Sequence, residues 1–235
     1  MEVVRYADRP DLLEIRSEQL NTFPTYMNHN AMGSRYWGRL YDEFPDFQLA
    51  LVDDGALVAE VHALSLPLVD DGLPQGWDEA FERGMEAGGG DTLSLLAISV
   101  RPVRRGGGVA TTMLDAARRA AGAAGLASVI APLRPTFKQR YPLVSIDDYV
   151  AWRRADGAHF DSWIRVHERA GGAIVKTAPE SMRIEAPVAE WEEWLGLELP
   201  GDGMHIHPDM LAPLEVRDGV GVHVEPNVWL RHSVL

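Results

Sequence analysis

Arg104 and Arg105 stand directly before three consecutive glycines, Gly106, Gly107 and Gly108, and an alanine-rich segment, VATTMLDAARRAAGAAGL, begins at Val109. That order of residue types suits the holding of an anion. Glycine carries a backbone-entropy cost, so a run of three marks a place where the chain must turn unusually or approach something closely. The segment after it has high helix propensity. A helix N-terminus presents unpaired N–H groups and a partial positive charge, and the arginines add formal charge beside it. A phosphate-bearing ligand is the expectation. Two familiar phosphate loops are excluded by the letters. A P-loop needs Lys followed by Ser or Thr after its last glycine, where this chain has Val109 and Ala110. A dinucleotide fingerprint needs Gly or Ala three residues after Gly108, where Thr111 stands, and it normally follows the first strand.

The elements that must position this loop can be read from periodicity. EVVRYA opens as a strand, RPDLLEIRSEQLNTF has helical spacing, and SRYWGRLYDEF reads as a second helix capped by Ser34 and ended near Pro45. FQLALVDDGALVAEVHALSL holds two strands joined at Asp53-Asp54-Gly55. Residues 70–91 are polar and glycine-rich, and are expected as a flexible excursion with a helical turn or two. TLSLLAISVRP is an apolar strand of the kind buried on both faces. Past the glycine loop and its helix come the strand ASVIAPLRP, the helix HFDSWIRVHERAGG, and two strands in AIVKTAPESMRIE and GVGVHVEPNVWLRH. This order implies a mixed α/β sheet in a single domain spanning 1–235.

Composition narrows the function classes. The chain has 235 residues, 46% hydrophobic and 24% charged, as in an ordinary globular protein. No apolar run approaches a membrane span, no signal peptide is recognisable, and a cytoplasmic location is expected. Without cysteine there is no disulfide, thiolate metal site or cysteine nucleophile. The net charge of −13 argues against nucleic acid as a partner. Yet residues 101–154 hold ten Lys/Arg against three Asp/Glu, which suggests one electropositive area on an acidic body.

Arg105, Gly108 and Ala110 spell R-x-x-G-x-A after a strand ending ISVRP. Here the sequence resembles the GCN5-related N-acetyltransferase superfamily. The resemblance implies a mixed central sheet of about seven strands flanked by helices, with a core over about 1–186 and a C-terminal extension over about 187–235. It implies that Arg105, Gly106, Gly107, Gly108, Val109 and Ala110 bind the pyrophosphate of coenzyme A, while the strand at Ile98 and Val100 pairs with the pantetheine amides. The usual general base of the superfamily, a strand glutamate, is missing: TLSLLAISV contains no carboxylate. In VHERAGG, His167 stands four residues before Gly171, the place of a tyrosine that protonates the departing thiolate in many members. An imidazole titrates near neutrality and suits such proton transfer.

The stretch from Arg134 to Gly172, with VAEWEEWLG and EPNVWLRH, further resembles the acyltransferase-like domains of polyketide loading modules of the curacin type. That subgroup implies His167 and Thr136 as catalytic residues acting on malonyl thioesters, and a place in secondary metabolism. Enolate chemistry of this kind needs donors at the thioester oxygen and a proton at the α-carbon, but no carboxylate base. Three readings therefore stand. The first is acyl transfer from acetyl-CoA, another short acyl-CoA or an acyl carrier protein to an amine or thiol. The second is decarboxylation of malonyl- or methylmalonyl-CoA, and the third a non-catalytic acyl-CoA sensor.

An acidic carrier protein would dock on basic residues, with Arg118, Arg119, Lys138, Arg140, Arg153 and Arg154 as candidates. Phe23, Trp37 and Arg183 are candidates for a substrate pocket. His205, His207 and Asp209 in HIHPD have a spacing open to a metal, but no third histidine or cysteine stands nearby, so no metal is expected. Trp191 and Trp194 read as core residues of an amphipathic helix. With neither G-x-S-x-G nor H-E-x-x-H present, hydrolase and zincin readings lack support.

Overall fold

The computed structural model describes residues 1–20, 22–68 and 72–235. In chain order the elements are β1 (Glu2–Arg5), α1 (Leu12–Gln19), α2 (Ala31–Tyr36), α3 (Leu40–Glu43), β2 (Gln48–Asp53), β3 (Ala56–Leu66), α4 (Trp77–Ala87) and β4 (Thr92–Val100). They continue with α5 (Val109–Ala123), β5 (Ser128–Leu133), α6 (Ile146–Val150), α7 (Ser162–Arg169), β6 (Ala173–Pro187), α8 (Val188–Leu195), β7 (Gly203–His205), β8 (Leu214–Arg217) and β9 (Val220–His232). The strands form one mixed sheet in the order β1-β2-β3-β4-β5-β9-β8-β7, with β6 paired to the other edge of β9.

All seven strands expected from the sequence are in this sheet, and β7 and β8 bring the described total to nine. The tight turn between β2 and β3 has Asp54 at φ 47° and Gly55 at φ 79°, the two left-handed residues that the twist of a hairpin favours. β9 organises the second half. Val228–His232 pair with β5, Val220–His223 with β8, and nearly the whole strand with β6. The boundary expected near residue 186 therefore does not follow the sheet. Residues beyond it supply the interior strand β9 as well as α8 and the β7–β8 hairpin.

Alternation along the strands sorts side chains onto two faces. Leu49, Leu51, Ala59 and Val61 share one face, and α5 packs against β2, β3 and β4 through Met113, Leu114 and Ala117. Gln48, Ala50, Glu60 and His62 share the other, where α1 lies. Burying a side chain such as Leu114 or Phe81 completely contributes about 1.5–3 kcal/mol.

Two local expectations are corrected. The second helix begins at Ala31, not Ser34: the Asn30 side chain caps it by accepting from Gly33 N at 2.9 Å, and a 3-10 turn over Trp37–Arg39 divides it. Within 72–91 the expected flexible excursion is the three-turn helix α4; residues 69–71 lie outside the described residues, as does Asn21 of the first expected helix. Trp77, Ala80, Phe81, Gly84 and Met85 are all buried and follow the i, i+3, i+4, i+7, i+8 pattern of a core-facing helix. Gly84 is required by proximity, since a Cβ there would lie 2.1 Å from Leu64 Cδ1.

The feature that most concerns the site is the divergence of β4 from β5. These parallel strands pair only at Thr92–Ser128, Leu93–Val129 and Ser94–Ile130. Beyond Ser94 the edge of β4 that faces β5 has no strand partner, so its backbone groups need other company. β4 also carries a bulge. Leu95 lies opposite Ala63 and Ala97 opposite His62, leaving Leu96 as the extra residue, and its carbonyl accepts from Trp77 Nε1 at 2.8 Å.

Candidate functional site

The glycine loop is built as a cradle. After β4 a 3-10 turn over Pro102–Arg104 leads into Gly106 at φ 91° and Gly108 at φ 78°, left-handed conformations that disfavour a side chain. Gly108 is the N-cap of α5 and offers no side chain to cap it. The first turn of a fifteen-residue helix is thus left open to an anion. Arg104 turns away to pair with Asp53 at 2.5 Å, whereas Arg105 makes one long contact to Val100 O at 3.4 Å.

Beside this cradle is a cavity of about 350 Å³. Val100, Arg105, Gly106, Gly108, Val109, Ala110 and Thr111 line it from the loop, and Val166, Arg169 and Ala170 from α7. Six of the eight positions expected to bind the donor lie on its wall. Gly107 lies between two that do, and Ile98 sits half-buried further back on β4, where β5 has already diverged. Arg169 was not foreseen from the sequence: it comes from a helix sixty residues away and only the fold brings it to the loop. Two guanidinium groups and an open helix terminus fit a phosphate chain, and the small apolar residues with the unpaired β4 edge fit a slender amide-bearing arm.

Asp161 holds α7 in place. Its carboxylate accepts from Trp163 N and Ile164 N at the helix start, from Phe137 N at 2.7 Å and from Tyr149 OH at 2.8 Å. His167 lies on the core side of this helix, 1% exposed, and its Nδ1 shares a 2.9 Å hydrogen bond with Nε2 of His232. Burial, helped by the neighbouring His232, pushes His167 down to about 3; burial and Arg118 push His232 down to about 4. Both rings are therefore neutral near pH 7. The cavity wall takes Val166 and Arg169 on either side of His167 but not His167 itself. Thr136 is exposed in the loop after β5.

The opposite face of the sheet carries two buried charge networks that sequence spacing did not reveal. In the first, Glu60 on β3 accepts from Arg16 Nε at 2.7 Å, Arg16 Nη2 at 2.8 Å and Tyr6 OH at 2.8 Å. Burial acts to raise the Glu60 carboxyl, but His62 and Arg16 outweigh it and hold it at about 2. His62, also fully buried, lies against Trp37 and Tyr41 in edge contacts and against Tyr6 in a stack. In the second, Glu225 on β9 is bound by Arg134 Nε and by His223 Nε2 at 2.6 Å, while Arg134 also donates to Asp209 O at 2.6 Å and Tyr26 OH at 3.3 Å.

Trp37 is thus a half-buried neighbour of His62, away from the donor cavity. Phe23 is half-buried before the turn that holds Tyr26, and Arg183 is exposed and paired with Glu185 at 2.7 Å. Of the docking candidates, Arg118 and Lys138 are internal. Arg118 donates to Ser233 O and Ala170 O, and Lys138 to Tyr141 O and Leu211 O, with burial lowering Lys138 to about 8. His205 Nε2 bonds Gly201 O and His207 Nδ1 accepts from Asp209 N; among the described residues no group of three His, Asp or Glu is placed to hold a metal. No described helix is long and apolar enough to cross a membrane.

No protein-family model matches the chain. It is 29% identical to the arginine N-acetyltransferase avaD of Aspergillus versicolor over 269 residues, covering 97% of this chain and 92% of that protein. Among solved structures it is similar to the loading GNATL domain of CurA from Lyngbya majuscula, at a TM-score of 0.62 and 14% identity, with 99% of this chain and 96% of that one covered. It is also similar to the GphF GNAT-like decarboxylase in complex with isobutyryl-CoA, at a TM-score of 0.60 and 18% identity, with 99% of each covered. The divergent β4–β5 pair, the glycine cradle at α5 and these likenesses agree: the chain has the fold of the GCN5-related N-acetyltransferases.

Proposed function

We propose that the protein is an acyltransferase that moves a short acyl group, acetyl in the first instance, from free coenzyme A to an amine of an arginine-like small molecule. The observation that carries this reading is the cavity between the glycine loop and α7, with Arg105, Arg169 and the open first turn of α5 on its wall. The full-length likeness to an arginine N-acetyltransferase supports the amine acceptor. Free coenzyme A is taken as the donor because two guanidinium groups beside the open helix terminus suit its longer phosphate chain; of the docking candidates Arg118 and Lys138 are internal, while Arg119, Arg140, Arg153 and Arg154 are exposed.

The acyl thioester supplies an activated carbonyl. The chain's own groups do the rest. Arg105, Arg169 and the N–H groups of Val109 and Ala110 hold the phosphates, and the free edge of β4 beyond Ser94 orients the pantetheine arm. The walls of Val100, Val109, Val166 and Ala170 exclude water from that arm. Holding both reactants in register lowers the entropic part of the barrier.

A second reading, decarboxylation of a malonyl-type thioester, is favoured by the absence of a carboxylate anywhere on β4. It needs a proton donor other than an imidazolium at His167, which is buried and neutral near pH 7. Product analysis by mass spectrometry separates the two. Acetyl-CoA with arginine should give acetylarginine and free thiol, with malonyl-CoA unchanged when no amine is present. Acetyl-CoA appearing from malonyl-CoA without an acceptor favours the lyase instead.

A further inference from the structure

Resting on the acyltransferase reading, we propose that His62 Nε2 is the general base for the acceptor amine, replacing the carboxylate that β4 lacks. His62 lies on β3 directly opposite Ala97, the residue after the β4 bulge, and strand pairing puts both side chains on the face away from α5. Ala97 and Ile98 are themselves only half-buried, and β4 is free of β5 here, so the ring stands beside the stretch where the thioester arm is to lie.

Its tautomer is fixed from behind. Gln48 Nε2 donates both amide hydrogens, to Phe44 O at 2.8 Å and Ala63 O at 2.7 Å, so Gln48 Oε1 must face His62 Nδ1, 3.0 Å away, as an acceptor. Nδ1 therefore carries hydrogen, and the proton that the ring takes up or gives away is the one on Nε2. That atom is buried and makes no directed hydrogen bond. An orphaned polar atom in a native interior is costly, and such atoms concentrate where a ligand or a reaction completes them. The groups facing the ring are Glu60 on β3, Gln48 on β2, Tyr6 after β1, Arg16 on α1, Trp37 beside α2 and Tyr41 on α3. Glu60 Oε2 lies 3.0 Å from Nε2, off the hydrogen-bond direction, and its charge stabilises the imidazolium once formed. Trp37, half-buried and edge-on to the ring, is the least enclosed of the aromatic neighbours that cover His62.

In the reaction the ammonium form of the acceptor gives one proton to Nε2. The freed lone pair forms the C–N bond, the C–S bond breaks with its electron pair on sulfur, and the second proton leaving nitrogen ends on that thiolate. His62 then returns its proton to solvent.

The test is the pH profile of kcat/KM for arginine acetylation by wild type and His62→Asn, with CoA affinity of both measured by calorimetry. A general base contributes about 10²–10⁴-fold. His62→Asn should lose that factor near pH 7, keep its CoA affinity, and regain activity towards wild type as rising pH deprotonates the amine in solution. A variant that merely misfolds loses CoA binding and does not recover at high pH, which overturns the proposal, as does a His62→Asn profile matching wild type. Wild type failing to acetylate any amine overturns the acyltransferase reading, and this inference falls with it.

Discussion

The two faces of the sheet handle charge in opposite ways. On the α5 side the cations at the cavity are left open: Arg169 has no ion pair among the described residues, and Arg105 has one long backbone contact, although nearby Arg104 and Arg118 are paired with Asp53 and Asp115. On the α1 side Glu60 and Glu225 are each gripped by an arginine and further donors. Open cations beside an uncapped helix terminus suit a polyanionic ligand. Closed networks in the interior instead fix the positions of strands and loops, and His62 Nε2 beside Glu60 is among the buried polar atoms that no directed hydrogen bond completes. One face leaves its charges open, the other closes them.

The difference can be broken most forcefully on the closed side. Arg134→Met strands the fully buried Glu225 with only His223, and removing one partner of a buried pair costs about 3–5 kcal/mol. Chemical denaturation should show a loss of that size, with CoA affinity of the remaining folded protein unchanged. A loss below about 1 kcal/mol would mean that the network is not the brace described here.

A smaller effect concerns the His167–His232 pair. Both folded-state values, about 3 and about 4, lie below the 6.5 of an exposed imidazole. The unfolded chain therefore binds protons first as pH falls, so the stability that the pair contributes is complete above pH 6.5 and is lost on the way down to 4 and then 3. The melting temperature should decline from pH 6.5 downward, and less steeply in His167→Leu/His232→Leu. Equal slopes in the two proteins would assign the decline to other groups.

Much of the glycine-loop cavity was legible in the sequence, because a cradle of this kind is local: strand, glycines and helix are contiguous from Thr92 to Ala123. The rest depends on chain segments that meet across the fold. Gln48 meets His62, Arg16 meets Glu60, and Arg169 meets the glycine loop, and nothing in local spacing announces these encounters. His167 shows the converse. Its distance from Gly171 suggested the reaction centre, but the helix turns it towards β9 and His232. α4 was missed for a local reason, since the glycines and acids on either side masked a regular apolar stripe from Trp77 to Met85.

The most direct measurement is a calorimetric titration of coenzyme A into wild type and Arg105→Glu. A charge-assisted hydrogen bond contributes about 1.5–3 kcal/mol, so reversing the charge of Arg105 should weaken binding at least about tenfold while the melting temperature of the exposed-site variant stays near that of wild type. Equal affinity in the two proteins, or no binding by wild type, would contradict the assignment of the cavity between the glycine loop and α7 to the acyl donor.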